Sequence, residues 1–285
     1  DTLSVTNLSI GKVLTGTSET NVVDSTGSDV QIGEVVTYRL DVELPETTVP
    51  GLVVTDRIPA GLAYVAGRVD TNGFGGLLPL PAEVSGGAGS GADVAFTFTN
   101  DVVVFHDNVP TNNAFRIFIE AVVVDEPANT GTPGSQTTHG NDALVTFAGG
   151  GTNNSESVVT TTIEPVVTID KSIVPATGDA GDVVSVILVI TNDGLASAYD
   201  IVLTDPLDPA VFDISTVANE TVDGGPVPPG IFSISNDTVV MRALPSFGQP
   251  SNTLEVGESL TFAYDVALAQ SVAPDTVFTN TAFVR

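Results

Sequence analysis

Two lysines, Lys12 and Lys171, are the only side-chain amines in a chain of 285 residues, and they stand at matching places in two similar halves. On Leu8-Ser9-Ile10-Gly11-Lys12-Val13-Leu14, two-residue alternation puts Lys12 on the face of Leu8, Ile10 and Leu14; Lys171 shares its face with Val167, Ile169 and Ile173. The same count places Asp56 with Leu52, Val54 and Ile58, and Asp205 with Ile201, Leu203 and Leu207. Asn141 falls with Ala143, Val145 and Phe147, and Asn280 with Phe278, Ala282 and Val284. Each half therefore offers an amine, a carboxyl and an amide to its interior. An ammonium taken out of water tends to shed its proton, its pKa falling by up to roughly 3–5 units at full burial, and a neutral amine is a nucleophile. A buried aspartate shifts the other way, so it can donate to the amide carbonyl and relay protons while the amine attacks and ammonia departs. The competing outcomes are a buried salt bridge with an amide neighbour, or a lysine that reaches out to water from the sandwich edge.

The elements that would position these groups are strands. Val, Thr, Ile and Phe alternate with period two between clusters of Gly, Pro, Asn and Asp, and no stretch carries a sustained helical stripe. Two copies of one pattern follow each other. Gly33-Glu34-Val35-Val36-Thr37-Tyr38 recurs as Gly181-Asp182-Val183-Val184-Ser185-Val186, and Val53-Val54-Thr55-Asp56 as Val202-Leu203-Thr204-Asp205. Further on, Asn100-Asp101-Val102-Val103-Val104 matches Asn236-Asp237-Thr238-Val239-Val240, and Asn141-Asp142-Ala143-Leu144-Val145 matches Asn280-Thr281-Ala282-Phe283-Val284. The expected organisation is a first domain over 1–164 and a second over 165–285, joined near Ile163-Glu164-Pro165 with almost no linker, as in an elongated rod. A Gly-rich insertion around Gly73 to Gly91 lengthens the first copy and is expected to be an exposed loop with a short hairpin at most.

Gly-Glu-Val-Val-Thr-Tyr-Arg-Leu-Asp-Val, followed by Val-Thr-Asp-Arg-Ile-Pro-Ala-Gly-Leu, resembles the fimbrial isopeptide-forming domain of the collagen-adhesin type. Ile-Thr-Asn-Asp-Gly-Leu-Ala-Ser-Ala-Tyr-Asp-Ile-Val-Leu-Thr-Asp-Pro-Leu in the second copy is similar to a related repeat of large microbial surface proteins. The resemblance implies two tandem Ig-like Greek-key β-sandwiches, each with a first-strand lysine bonded to a last-strand asparagine beside a promoting acid. By position the sets are Lys12, Asp56, Asn141 and Lys171, Asp205, Asn280. The acid varies within that family; Glu120 and Asp265 rank second here, because alternation turns them away from Ile117, Ile119 and from Phe262, Tyr264.

Composition narrows the function. With 35 acidic against eight basic residues the net charge is -27, a surface that repels nucleic acid and anionic membranes. Cysteine is absent, so disulfides and thiolate metal sites are excluded, and no apolar run is long enough to span a bilayer. The start at Asp1 suggests a processed product or a segment of a longer protein. His106 and His139 lack the companions of a hydrolytic triad or zinc site, the acids from Asp193 to Asp208 lack a calcium-loop spacing, and the absence of Trp argues against a carbohydrate platform. No cofactor, metal or enzymatic turnover is expected beyond the single self-reaction. What remains is an extracellular fibre or cell-surface stalk whose partners are copies of itself or neighbouring repeats, with Thr2 to Thr6 available for strand exchange. The alternative is an adhesin presenting a first-domain loop to a surface ligand.

Overall fold

The computed structural model describes residues 8–19, 27–80, 83–149, 151–242 and 253–285, so the strand-exchange segment Thr2 to Thr6 lies outside the described residues. Two compact units divide the chain, Asp1–Ile163 and Glu164–Arg285. Among the described residues both are built of strands, with one short 3-10 turn at Pro110–Asn112.

In the first unit the strands that matter here are β1 (Ser9–Thr17), β2 (Val35–Glu43), β3 (Val53–Arg57), β4 (Leu62–Asp70), β5 (Glu83–Gly86), β6 (Val94–Thr97), β7 (Val102–Val104), β8 (Ala114–Val123), β9 (Thr138–Thr146) and β10 (Val158–Thr162). One sheet runs β1-β2-β8-β4, and the facing sheet runs β10-β9-β3-β6-β5, with Asp29–Val30 added parallel to β10. Period-two burial makes the sandwich: along β2, Val36, Tyr38, Leu40 and Val42 are buried while the residues between them are partly exposed. They meet Val54, Val94, Phe96, Ala143 and Val145 of the other sheet in a single apolar cluster. Each fully buried Val, Leu or Phe stabilises the unit by roughly 1.5–3 kcal/mol relative to exposure.

The second unit repeats the plan. Its strands are β11 (Val167–Val174), β12 (Val183–Asn192), β13 (Val202–Pro206), β14 (Phe212–Val222), β15 (Phe232–Ser235), β16 (Thr238–Arg242), β17 (Ser259–Leu268) and β18 (Phe283–Val284). The sheet orders β11-β12-β17-β14 and β15-β16-β13-β18 reproduce β1-β2-β8-β4 and β5-β6-β3-β9.

That correspondence corrects one repeat match. β16 pairs with β13 at Val239↔Asp205, and its counterpart is β6, which pairs with β3 at Val94↔Asp56. Val102–Val104 instead pairs with Thr48–Val49 and Gly76–Leu77 in a separate small sheet. The shared Asn-Asp letters mislead because they do different work: Asn236 and Asp237 take positive φ and close the β15–β16 hairpin, whereas Asn100 and Asp101 are not among the positive-φ residues. The Gly-rich stretch is also more than a loop. It carries β5, hairpin partner of β6 and counterpart of β15, and its Gly76–Leu77 is tied to β7.

A polar knot closes one end of the first unit. Buried His139 on β9 sets Nδ1 2.9 Å from the Ala60 carbonyl and Nε2 2.8 Å from Thr162 Oγ1, which donates to Asn129 Oδ1. Asn129 Nδ2 in turn donates to the carbonyls of Gly61 and Val124. This histidine is structural, and His106 is exposed. Gly61 has φ +89, and a Cβ there would sit 2.2 Å from His139 Cε1. Gly61→Ala is therefore expected to destabilise the first unit by about 2–4 kcal/mol, combining left-handed strain with overpacking. Urea denaturation checks this, and a change within about 0.5 kcal/mol, ordinary for a surface site, would contradict it.

Candidate functional site: a lysine, an acid and an amide between the sheets

Lys12 comes from β1, an edge strand whose described residues pair only with β2, with Lys12 opposite Leu40. Its side chain crosses to the other sheet, where Nζ donates to Asp56 Oδ2 at 2.5 Å with both side chains fully buried. Asp56 lies opposite Ala143 on β9, and Asn141, two residues before Ala143, occupies the diagonal position on the same face. Asn141 is fully buried, as strand alternation requires. β1 and β9 lie side by side, so one covalent link from Lys12 to Asn141 would join the two sheets.

The polar atoms around this pair are poorly satisfied. Asp56 Oδ1, both amide atoms of Asn141, the Tyr38 hydroxyl and Thr160 Oγ1 are all buried without a directed hydrogen bond. A buried donor or acceptor left without a partner costs about 1–3 kcal/mol, so this cluster calls for an explanation. Lys12 Nζ also sits 4.7 Å from the centre of the Tyr38 ring.

Burial drives the electrostatics. It pushes the Lys12 ammonium below its ordinary value, with the charge of Asp56 opposing in part. Burial also pushes the Asp56 carboxyl up, against the pull of Lys12 and of the nearby Asn141 amide. Both directions bring the pair toward a neutral amine beside a neutral acid, the state in which the amine has a free lone pair.

The second unit repeats the lysine–aspartate pair with different partners. Lys171 on β11 donates to both carboxylate oxygens of fully buried Asp205, at 2.5 Å to Oδ1. Asp205 Oδ2 also accepts from the Tyr264 hydroxyl at 2.7 Å. Burial lowers the Lys171 pKa, opposed by Asp205, and burial raises that of Tyr264. The ladder between β13 and β18 pairs Thr204 with Phe283, as Thr55 pairs with Leu144 in the first unit. Asn280 lies three residues before Phe283 in an irregular stretch, partly buried, its Nδ2 buried and without a partner.

The second-ranked acids face outward. Glu120 is exposed, and Asp265 accepts from Ser185 Oγ and Asn219 Nδ2, bonds that hold its carboxyl below the usual range. Sequence reasoning missed Tyr38 and Tyr264. Aligned copies do carry a signal: tyrosine faces valine at 38/186, and isoleucine faces tyrosine at 119/264. Among the described residues no group of three or more His, Asp or Glu side chains is placed to hold a metal ion, and no helix is long and apolar enough to cross a membrane.

No family model matches the chain, and no curated protein matches it by sequence. Among solved structures it is similar to one described as BspA_C_WT, at 12% identity and TM-score 0.40, with 92% of each chain covered. It is also similar to BcpA, the major pilin subunit of Bacillus cereus, at 13% identity and TM-score 0.40. That match covers 88% of this chain, which spans only 56% of the pilin. A 35 kDa C-terminal fragment of the major pilin GBS80 of Streptococcus agalactiae is similar at 8% identity and TM-score 0.37, with 98% of this chain and 91% of the fragment covered.

Proposed function

We propose that this chain is a structural, load-bearing part of an extracellular fibre or cell-surface stalk, in which each unit is a domain that closes itself with an isopeptide bond. Lys12 joins Asn141 with Asp56 as the promoting acid, and Lys171 joins Asn280 with Asp205 in the same role. The lysine passes a proton to the aspartate and the neutral Nζ attacks the amide carbon. The carboxyl then gives its proton to Nδ2 as the bond from that carbon breaks and ammonia leaves, and the carboxylate takes up the second Nζ proton, which leaves a neutral amide. The fold supplies the proximity that makes such an intramolecular step feasible. Copies of the chain, or neighbouring repeats, are the expected partners.

The observation that carries this proposal is Asn141: a primary amide fully buried with no directed hydrogen bond, close to a buried lysine and aspartate whose pKa directions favour their neutral forms. Intact mass tests it. Two bonds lower the mass of the full chain by roughly 34 Da, one ammonia for each amide attacked, and Lys12→Ala with Lys171→Ala should give the full calculated mass for that variant. Wild-type chain at its full calculated mass would overturn the chemistry.

A second use, adhesion to a surface ligand, is favoured by one feature: Leu77, Leu80 and Val84 are exposed apolar residues on the Gly-rich stretch. Attachment that survives replacement of all three by serine would rule it out.

A further inference from the structure

We propose that Tyr264 acts as a brake on the second unit: its hydroxyl occupies the Asp205 carboxylate that has to take up the Lys171 proton, so that this unit closes more slowly than the first. The inference rests on the isopeptide chemistry proposed above.

The two acids differ in what they have free. Asp56 accepts one directed hydrogen bond, from Lys12 on Oδ2, with the Asn141 amide close by; its buried Oδ1 has no directed bond. Asp205 has no open oxygen: Lys171 bonds both, and Tyr264 adds a hydroxyl to Oδ2. Closure begins with transfer of a proton from Nζ to the carboxylate. Every donor already bound to that carboxylate stabilises its charged form and opposes the transfer. The same proton is later needed by the departing amide nitrogen, so a carboxylate already engaged by a second donor slows both halves of the exchange.

A swap across one strand pair produces the difference. In the first unit Tyr38 on β2 lies opposite Ile119 on β8; at the equivalent place in the second, Val186 on β12 lies opposite Tyr264 on β17. The ring fills the same layer of the core but starts from the neighbouring strand. From β2 the hydroxyl comes to rest beside Thr160 and Asn141, with no directed hydrogen bond, and leaves Asp56 Oδ1 open. From β17 it reaches the acid. Tyr264 is thus a positioning residue, acting on the reaction through Asp205.

The test uses the full chain, folded from denaturant and sampled over time, with intact mass counting ammonia losses and digestion with tandem mass spectrometry locating them. In the wild type the Lys12–Asn141 bond should form first. Tyr264→Phe should speed formation of the Lys171–Asn280 bond by about ten- to a hundredfold, the kinetic equivalent of one hydrogen bond to a charged group, and leave the first unit's rate unchanged. A tyrosine with only a packing role would, on removal, loosen the pocket and slow the reaction. Should that variant fail to fold, Tyr38→Val with Ile119→Tyr transplants the second unit's arrangement into the first and should slow closure there by a similar factor. Equal rates in the two wild-type units, or no acceleration in folded Tyr264→Phe, would overturn the brake and point to the irregular setting of Asn280 as the limiting feature. Absence of any ammonia loss from the first unit would instead overturn the isopeptide chemistry, and the brake with it.

Discussion

Replacing Asp56 by alanine is expected to destabilise the first unit by about 3–5 kcal/mol through the broken buried pair alone, because it leaves the Lys12 amine enclosed without its counter-charge. If Asp56 promotes an isopeptide bond as proposed, the covalent closure should fail as well. By analogy with a disulfide that closes a long loop, this removes about a further 2–4 kcal/mol. The two losses together are comparable with the whole stability of an ordinary domain, roughly 5–15 kcal/mol, and the variant should stand near the edge of folding at room temperature. Lys12→Met combined with Asp56→Leu separates the contributions. It removes both charges and keeps apolar bulk, so it should recover most of the pair's loss while remaining uncrosslinked. Urea denaturation with hydrogen exchange resolved by peptide reports each unit separately. If Asp56→Ala costs no more than the half kilocalorie or so of a typical surface change, the pair has been misjudged.

Mechanical unfolding should show an effect as large. About 130 residues separate Lys12 from Asn141, and stretched out they would span roughly 430–460 Å. A bond between these residues carries the load past all of that chain, so a unit pulled from its two ends should yield only its short flanking segments. Lys12→Ala should return the full length in single-molecule stretching. For Lys171 to Asn280 the hidden length is about 110 residues, roughly 360–390 Å. Wild-type unfolding steps that release those full lengths would show that tension runs through the folded chain and that no internal tie exists.

Strand alternation explains how much of the site was legible in the amino-acid sequence. Lys12, Asp56, Asp205 and Asn141 are all inward residues of period-two strands, and the structure buries each beside the apolar neighbours that the count assigns to it. Alternation fixes a face, however, and says nothing about which polar atoms find partners on it. Asn280 shows the limit: the period continues in the letters, but the ladder stops at Phe283, and the asparagine lies in an irregular stretch. Pairing is the other thing a one-dimensional pattern conceals. Val94–Thr97 and Val102–Val104 are both short Val-containing strands, and only their hydrogen-bonded neighbours reveal which one corresponds to Thr238–Arg242. The tyrosines combine both limits, since their effect depends on the strand of origin and on the atom the hydroxyl then reaches.

The enclosure of both lysines has a consequence for how such a surface would meet its chemical surroundings. The Lys12 side chain is wholly covered and that of Lys171 is 11% exposed, and the chain has no other lysine. Aldehydes, reducing sugars and acylating dyes all need an accessible amine, so they would find almost nothing along the described length to modify. A coat built from these units would resist glycation and aldehyde fixation, and trypsin would be left with arginine as its only ready point of attack.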